Sequence, residues 1–172
     1  AHRALAYSDL ALPVGHGESM MRPVLEGRVL QALSLTAGED VLEIGTGSGY
    51  LAACLGSLAR DVVSLEYRPD LAQTARDRLQ AQGIGNVRID HADAFGWDSD
   101  RRFDAICVGG AVATVPVRFL RWLRPGGRIF AVHGQAPAME AVLVRHAADA
   151  AGFEVESLFE TELPYLIGGA PV

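Results

Sequence analysis

Asp40-Val-Leu-Glu-Ile-Gly-Thr-Gly-Ser-Gly-Tyr50 is the stretch that decides the fold. It is a short apolar strand, Asp40 to Gly45, that runs into three glycines within five positions, Gly45, Gly47 and Gly49. Ser48 to Leu58 follows as a helix, with Leu51, Leu55 and Leu58 on one face. Glycines at a strand-to-helix turn let the backbone approach a ligand closely, and the helix start offers free N–H groups. The same alternation continues downstream. Asp61 to Glu66 reads as a strand. Pro69 to about Gln82 reads as a helix, with Pro69 at its first position and Gly83 at its stop. Asn86 to His91 and the apolar Phe103 to Val108 are further strands. Val117 to Leu123 is a short helix closed by Pro125-Gly126-Gly127, and Arg128 to His133 is a strand. Strand and helix alternating in this way predict an α/β fold, a doubly wound, Rossmann-like and mostly parallel sheet. After Met139 the signal is ambiguous. Met139 to Ala151 is Ala-rich and passes as a helix on propensity. Glu140 to Arg145 also suits a strand, with Phe153 to Phe159 as its partner across a turn at Gly152.

The whole chain, 172 residues, is the size of one domain. It is 49% hydrophobic and 21% charged, enough to bury a normal core. The net charge of −6 argues against wrapping nucleic acid, which needs a basic face. The clusters Arg101-Arg102 and Arg118, Arg121, Arg124 are the candidates for a local basic patch. No apolar run reaches the ~18 residues of a membrane span, and no secretory leader is visible. Cys54 and Cys107, both in apolar segments, read as two buried thiols in a reducing cytoplasm. The histidines are scattered singly, so no metal site is expected.

The turn's spacing narrows the ligand. Dinucleotide sites use G-x-G-x-x-G, and here the third glycine comes one residue early. Glu43, just before the turn, places negative charge where a pyrophosphate would sit. An acid there suits a cationic ligand, and S-adenosyl-L-methionine, which carries an ammonium and a sulfonium and no phosphate, fits. Glu66, 21 positions after Gly45, ends the next strand, where a carboxylate can accept from both ribose hydroxyls. Asp93 follows the third strand, where a loop Asp commonly makes an Asx-turn.

Val41 to Tyr50 resembles the first motif of class I S-adenosylmethionine-dependent methyltransferases. Tyr7-Ser-Asp-Leu-Ala-Leu-Pro-Val-Gly-His-Gly-Glu-Ser-Met-Met-Arg-Pro23 is similar to the active-site segment of protein-L-isoaspartate O-methyltransferases. So are Phe103 to Val108 with Val115-Pro116, and Leu123 to Arg128. The resemblance is strong from Tyr7 to Gly134. It implies a single methyltransferase domain over 1–172, further helices ahead of Ala1, and an antiparallel hairpin at the C-terminal end. For the cofactor it implies Glu43, Ile44, Gly45, Thr46, Gly47, Ser48, Gly49, Glu66, Tyr67, Asp93, Ala94 and Gly109. For the acceptor end it implies His16, Ser19, Met21 and Arg22. The implied partner is an isoaspartyl-containing protein or peptide, or a small-molecule carboxylate, met by a cytoplasmic monomer. A carboxylate is already ionised at neutral pH, so transfer to it needs no general base.

The acceptor motifs depart from the family. Its Gly-Gln-Thr-Ile-Ser-Gln-Pro segment places its key Ser at Met21 and its Gln at Arg22. Its Thr-Ala-Ala loop is Gly109-Gly110-Ala111 here. Its Val-Arg-Phe-Val-Pro-Leu motif is Thr161 to Leu166, with Glu162 at the Arg. Arg22 is a candidate partner for a substrate carboxylate or a surface arginine at a helix start. Ser19 is also placed to cap the helix beginning near Pro23. Transfer to a small molecule or tRNA, and a cofactor-binding module without turnover, stay open as alternatives.

Overall fold

The computed structural model describes residue 5, residues 8–147 and residues 152–171. A seven-stranded sheet carries the chain in the order β5-β4-β3-β6-β7-β8-β9. These strands are β3 (Asp40–Ile44), β4 (Asp61–Glu66), β5 (Val87–His91), β6 (Phe103–Val112), β7 (Leu123–Gln135), β8 (Ala138–His146) and β9 (Phe153–Glu160). Strands β3 to β7 are parallel, while β8 and β9 run antiparallel, as the expected hairpin requires. The strand order reverses between β3 and β6, and sheets of this kind bind ligands at that reversal.

Helices α1 (Pro23–Leu33), α2 (Tyr50–Leu58) and α3 (Pro69–Ala81) arise where the sequence signals them. Pro23 and Pro69 each open a helix at a position where the missing N–H costs nothing. Gly49 caps α2 at a positive φ. One sheet face packs Val41 and Cys107 against Leu25, Val29, Leu51 and Leu55 of α1 and α2. The other packs Leu42, Ile44 and Ile106 against Phe119 and Trp122. There α4 (Val117–Leu120) sits beside Trp97, whose ring meets Trp122 edge-on at 4.9 Å. Ahead of α1, β1 (Pro13–Gly15) and β2 (Glu18–Ser19) form a small hairpin. Its two loop residues, His16 and Gly17, both have positive φ, the backbone that tight hairpins require.

Several expectations need correcting. Strand β6 continues four residues beyond Val108, through Gly109 and Gly110 to Val112. Helix α4 stops at Leu120 rather than Leu123. Pro125-Gly126-Gly127 does not end the preceding helix but bulges within β7, where Gly127 lies against the backbone oxygens of Phe103, Asp104 and Arg124. Ser19 caps nothing, since Arg22 occupies the cap position of α1 without a side-chain bond. Cys54 is only half-buried, while Cys107 is buried; both are free thiols. The Ala-rich Met139 segment is a strand because Met139, Ala141 and Leu143 pack on one face and Val142 and Val144 on the other. Burial on both faces overrides its helix propensity. Tyr7 and the 148–151 part of that segment lie outside the described residues.

Candidate functional site

A cleft opens at the carboxyl ends of β3, β4 and β5 and beside Gly109 and Gly110 of β6. Its floor is two glycines. Gly45 follows β3 with φ +96°, and Gly109 lies opposite it in β6. A Cβ on Gly109 would sit 2.9 Å from the Gly45 carbonyl oxygen and 3.1 Å from that of Ile44, so the strands converge too tightly for any side chain. Gly47 has φ +53° and open space where a Cβ would be, as a backbone awaiting a ligand should. Gly49 serves packing instead, because a Cβ there would meet the Ala75 Cβ at 3.0 Å. Of the turn residues, Ile44, Gly45 and Gly47 line the cleft, whereas Thr46, Ser48 and Gly49 support it from behind.

Two acids organise this turn. Glu66 Oε2 accepts the Gly47 N–H at 2.8 Å, and its Oε1 accepts the Arg68 N–H at 2.8 Å. The carboxylate therefore holds the glycine turn in shape and keeps lone pairs for a ligand's hydroxyls. Glu43 does not line the cleft. It is fully buried beneath the turn, two residues before Gly45. Its Oε2 accepts from the Ser64 hydroxyl, which in turn lies 2.5 Å from the Thr46 hydroxyl. Since Ser64 donates to Glu43, Thr46 donates to Ser64. The other oxygen, Oε1, has no partner. Burial pushes the Glu43 carboxyl up to about 8, reinforced by the charges of Glu66 and Glu26 and opposed by Ser64.

Along the cleft from the turn lie Tyr67, Asp93 and Ala94. Asp93 Oδ1 accepts the Phe95 N–H at 2.9 Å, the expected Asx-turn. The side chain borders the cleft with Oδ2 outside that turn. Asp93 thus makes the Asx-turn while bordering the cleft.

The acceptor candidates separate. Ser19 and Met21 line the cleft. Arg22 is exposed at the start of α1 and does not line it. His16 points away, its Nε2 2.8 Å from Asp70 Oδ2 at the start of α3, so the hairpin loop is tied to α3. Glu162 also lies elsewhere, in a second groove with His133, Glu140 and Glu160. Sequence reasoning did not name Glu18, Arg68 or Ile167 as candidates, and it reached Leu163 to Leu166 only through the resemblance; Glu18, Arg68 and Leu163 to Ile167 all border the cleft. That run is drawn in by backbone bonds, Ala111 N–H to Pro164 O at 2.8 Å and Leu166 N–H to Ala111 O at 2.9 Å. The Leu166 side chain then fills the space over Gly110, where a Cβ would come within 2.9 Å of it. The paired small residues Gly109 and Gly110 were the signal available in the sequence.

Of the candidate basic patches, Arg101, Arg118 and Arg124 are engaged internally, while Arg102 and Arg121 are exposed. Arg101 and Arg124 pair with Asp61, Asp40 and Asp104, and Arg118 donates to the Phe95 and Trp97 carbonyls. Among the described residues no cluster of ligating side chains could hold a metal, and no helix is long and apolar enough to cross a membrane.

Comparison with known proteins agrees with this geometry. Residues 1–159 match the family model for protein-L-isoaspartate(D-aspartate) O-methyltransferase. The chain belongs to that family. A protein-L-isoaspartate O-methyltransferase of Myxococcus xanthus is 44% identical over 128 residues, covering 74% of this chain and 60% of its own. One from Cellvibrio japonicus is 36% identical over 174 residues, covering 99% of this chain and 77% of its own. The chain thus spans about 60% of the length of the Myxococcus protein, and 57% of that of a Magnetococcus marinus relative. Among solved structures, a protein-L-isoaspartate O-methyltransferase superposes with a TM-score of 0.84 at 25% identity, over 96% of this chain and 55% of that one. A Plasmodium falciparum structure described under the same activity, in complex with S-adenosyl-L-homocysteine, superposes with a TM-score of 0.82 at 21% identity, over 94% and 81%.

Within the family frame, the departures from the family's acceptor motifs are not equivalent. Met21 lies in the cleft wall, 8% exposed and packed into the core beneath α1. Arg22 and Glu162 lie outside the cleft lining, so of these three side chains Met21 is the one that changes its chemistry.

Proposed function

We propose that this chain transfers a methyl group from S-adenosyl-L-methionine to the free carboxylate of an isoaspartyl residue in a protein or peptide. The observation that carries the reading is that one cleft joins two sets of residues. Gly45, Gly47, Glu66 and Asp93 form its nucleoside end, while Ser19, Met21 and Leu163 to Ile167 form its other wall. The residues fit the cofactor: Gly47 offers open backbone, Glu66 retains acceptor capacity, and Glu43 holds an unpartnered oxygen under the turn. Glu66 would take the ribose, Asp93 and Ala94 the adenine edge, and the glycine turn above the buried Glu43 the methionine end. When bound, S-adenosyl-L-methionine supplies an electrophilic methyl group on a sulfonium.

The chain's own work is positioning, as an in-line displacement requires. Ser19 is placed to donate to the acceptor carboxylate, and Leu163 to Ile167 screen the cleft from water. No histidine lines the cleft among the described residues, and an ionised carboxylate needs no base to activate it. Met21, which cannot donate a hydrogen bond, lowers turnover relative to a serine there. Two free thiols and internally paired arginines fit a protein acceptor in a reducing cytoplasm better than tRNA.

The test is methylation of an isoaspartyl peptide with labelled cofactor, beside calorimetry with S-adenosyl-L-homocysteine. Binding with slow methylation that M21S accelerates is the expected result. Binding with no transfer to the peptide by either form overturns the acceptor; no binding overturns the cofactor.

A further inference from the structure

The β1–β2 hairpin forms one wall of the cleft through Val14, Glu18 and Ser19. The start of α3 forms another through Arg68 and Leu71. One contact joins these two walls. His16, at the hairpin tip, has its Nε2 2.8 Å from Oδ2 of Asp70 in the first turn of α3. Among the described residues it is the only hydrogen bond from the hairpin to another part of the fold. The others run between its own strands or close its root, as Met20 N–H to Leu12 O does at 2.9 Å.

The tip is built for something other than an easy turn. Gly15, His16 and Gly17 have φ of +118°, +55° and +79°. Glycine takes such a backbone freely, whereas a residue with a Cβ takes it at a cost. The middle position nevertheless carries a side chain, and what that side chain reaches is Asp70. The same contact holds the Asp70 carboxyl below the ordinary carboxylate range. The two side chains are 38% and 63% exposed. A pair so exposed adds little to the stability of the fold. That suits a contact that has to break and re-form whenever a ligand is exchanged.

We propose that His16 is a positioning residue whose bond to Asp70 latches the hairpin to α3 and so sets how long the cleft retains its cofactor. This rests on the cofactor reading above. With the latch closed, hairpin and α3 border the nucleoside end from two sides. With it open, the hairpin is held by its own strands and its root alone, and the ligand leaves past it. His16 itself does not line the cleft, and it acts through the wall that carries Ser19.

The experiment follows release of radiolabelled S-adenosyl-L-homocysteine from the full chain, chased with excess unlabelled ligand, in the wild type, H16G, D70A and the double variant. Glycine fits the left-handed tip better than histidine does, so H16G removes the latch without harming the turn. Release is expected to be about two- to fivefold faster in H16G and in D70A, the worth of one exposed pair. In the double variant it should be no faster than in the faster single one, because both substitutions break the same contact. A purely structural role at the tip predicts the opposite for H16G, release as slow as in the wild type or slower, and that result overturns the inference. So does unchanged release in both single variants, or effects that multiply in the double variant. Each of these outcomes leaves the cofactor reading standing, since the labelled ligand still binds. No binding by the wild-type chain overturns the cofactor reading, and the latch with it.

Discussion

The two ends of β3 treat a buried acid in opposite ways. Asp40, at the amino end, is 5% exposed and meets Arg60, Arg101 and Arg124, at 2.8, 3.6 and 2.8 Å. Arg60, first, and Arg124 hold its carboxyl down at about 2 against the opposing effect of burial. Three residues on, Glu43 is more deeply buried, has one hydroxyl donor and no cation, and is lifted to about 8. One end of the strand has spent its charge on the fold. The other has left an acid uncompensated where a cationic ligand is expected. Unsatisfied buried acids are costly, and they persist where a site needs them.

The largest effect expected in breaking this contrast is at the satisfied end. D40A removes the acid that gathers three arginines and is expected to cost about 2–3 kcal/mol in denaturant unfolding. Cofactor affinity in the folded fraction should be unchanged, since Asp40 is remote from the cleft lining. G109A comes next. Its Cβ meets backbone, which cannot swing aside as a side chain can, so a cost of about 1–3 kcal/mol is expected, with weakened S-adenosyl-L-homocysteine binding by calorimetry.

The third prediction crosses the two ends through pH. Asp40 is lowered on folding, so its stabilisation is present above its unfolded value and lost as pH falls from about 4 to about 2. Glu43 is raised, so the folded chain holds a proton that the unfolded chain has lost. Its contribution therefore declines as pH rises from the ordinary carboxyl range through about 8. Melting curves of the cofactor-free protein across pH should show D40N flattening the acid limb and E43Q the alkaline limb. A mutant that flattens the wrong limb breaks the comparison. The smallest effect is expected at the exposed His16–Asp70 pair, where H16A should leave the melting temperature unchanged in calorimetric scans.

The core elements were legible because each carries a local signal. The apolar β3, the prolines opening α1 and α3 and the glycines after β3 need no tertiary context. Along the nucleoside end, Glu66 and Asp93 follow from their positions at strand ends, and both border the cleft. What was not legible depends on distant partners. Glu140 to Arg145 suits helix or strand when read alone, and it is the strand that the resemblance implied because β7 and β9 flank it. Pro125 to Gly127 looks like a stop and is a bulge because β6 pairs on both sides of it. Leu163 to Leu166 was singled out only through the resemblance, and it is drawn to the cleft by backbone bonds with Ala111.

By itself the sequence determined the alternating fold, the glycine turn and the acids assigned to a cationic nucleoside, because these are encoded within a few residues of one another. The tertiary structure alone decided which candidates face the same space. It turned Arg22 and His16 away and brought Met21 and Leu163 to Ile167 into the cleft. The physical reason is range. Turn and strand preferences are short-range and written locally, whereas charge burial is set by whichever helix the fold lays across the sheet.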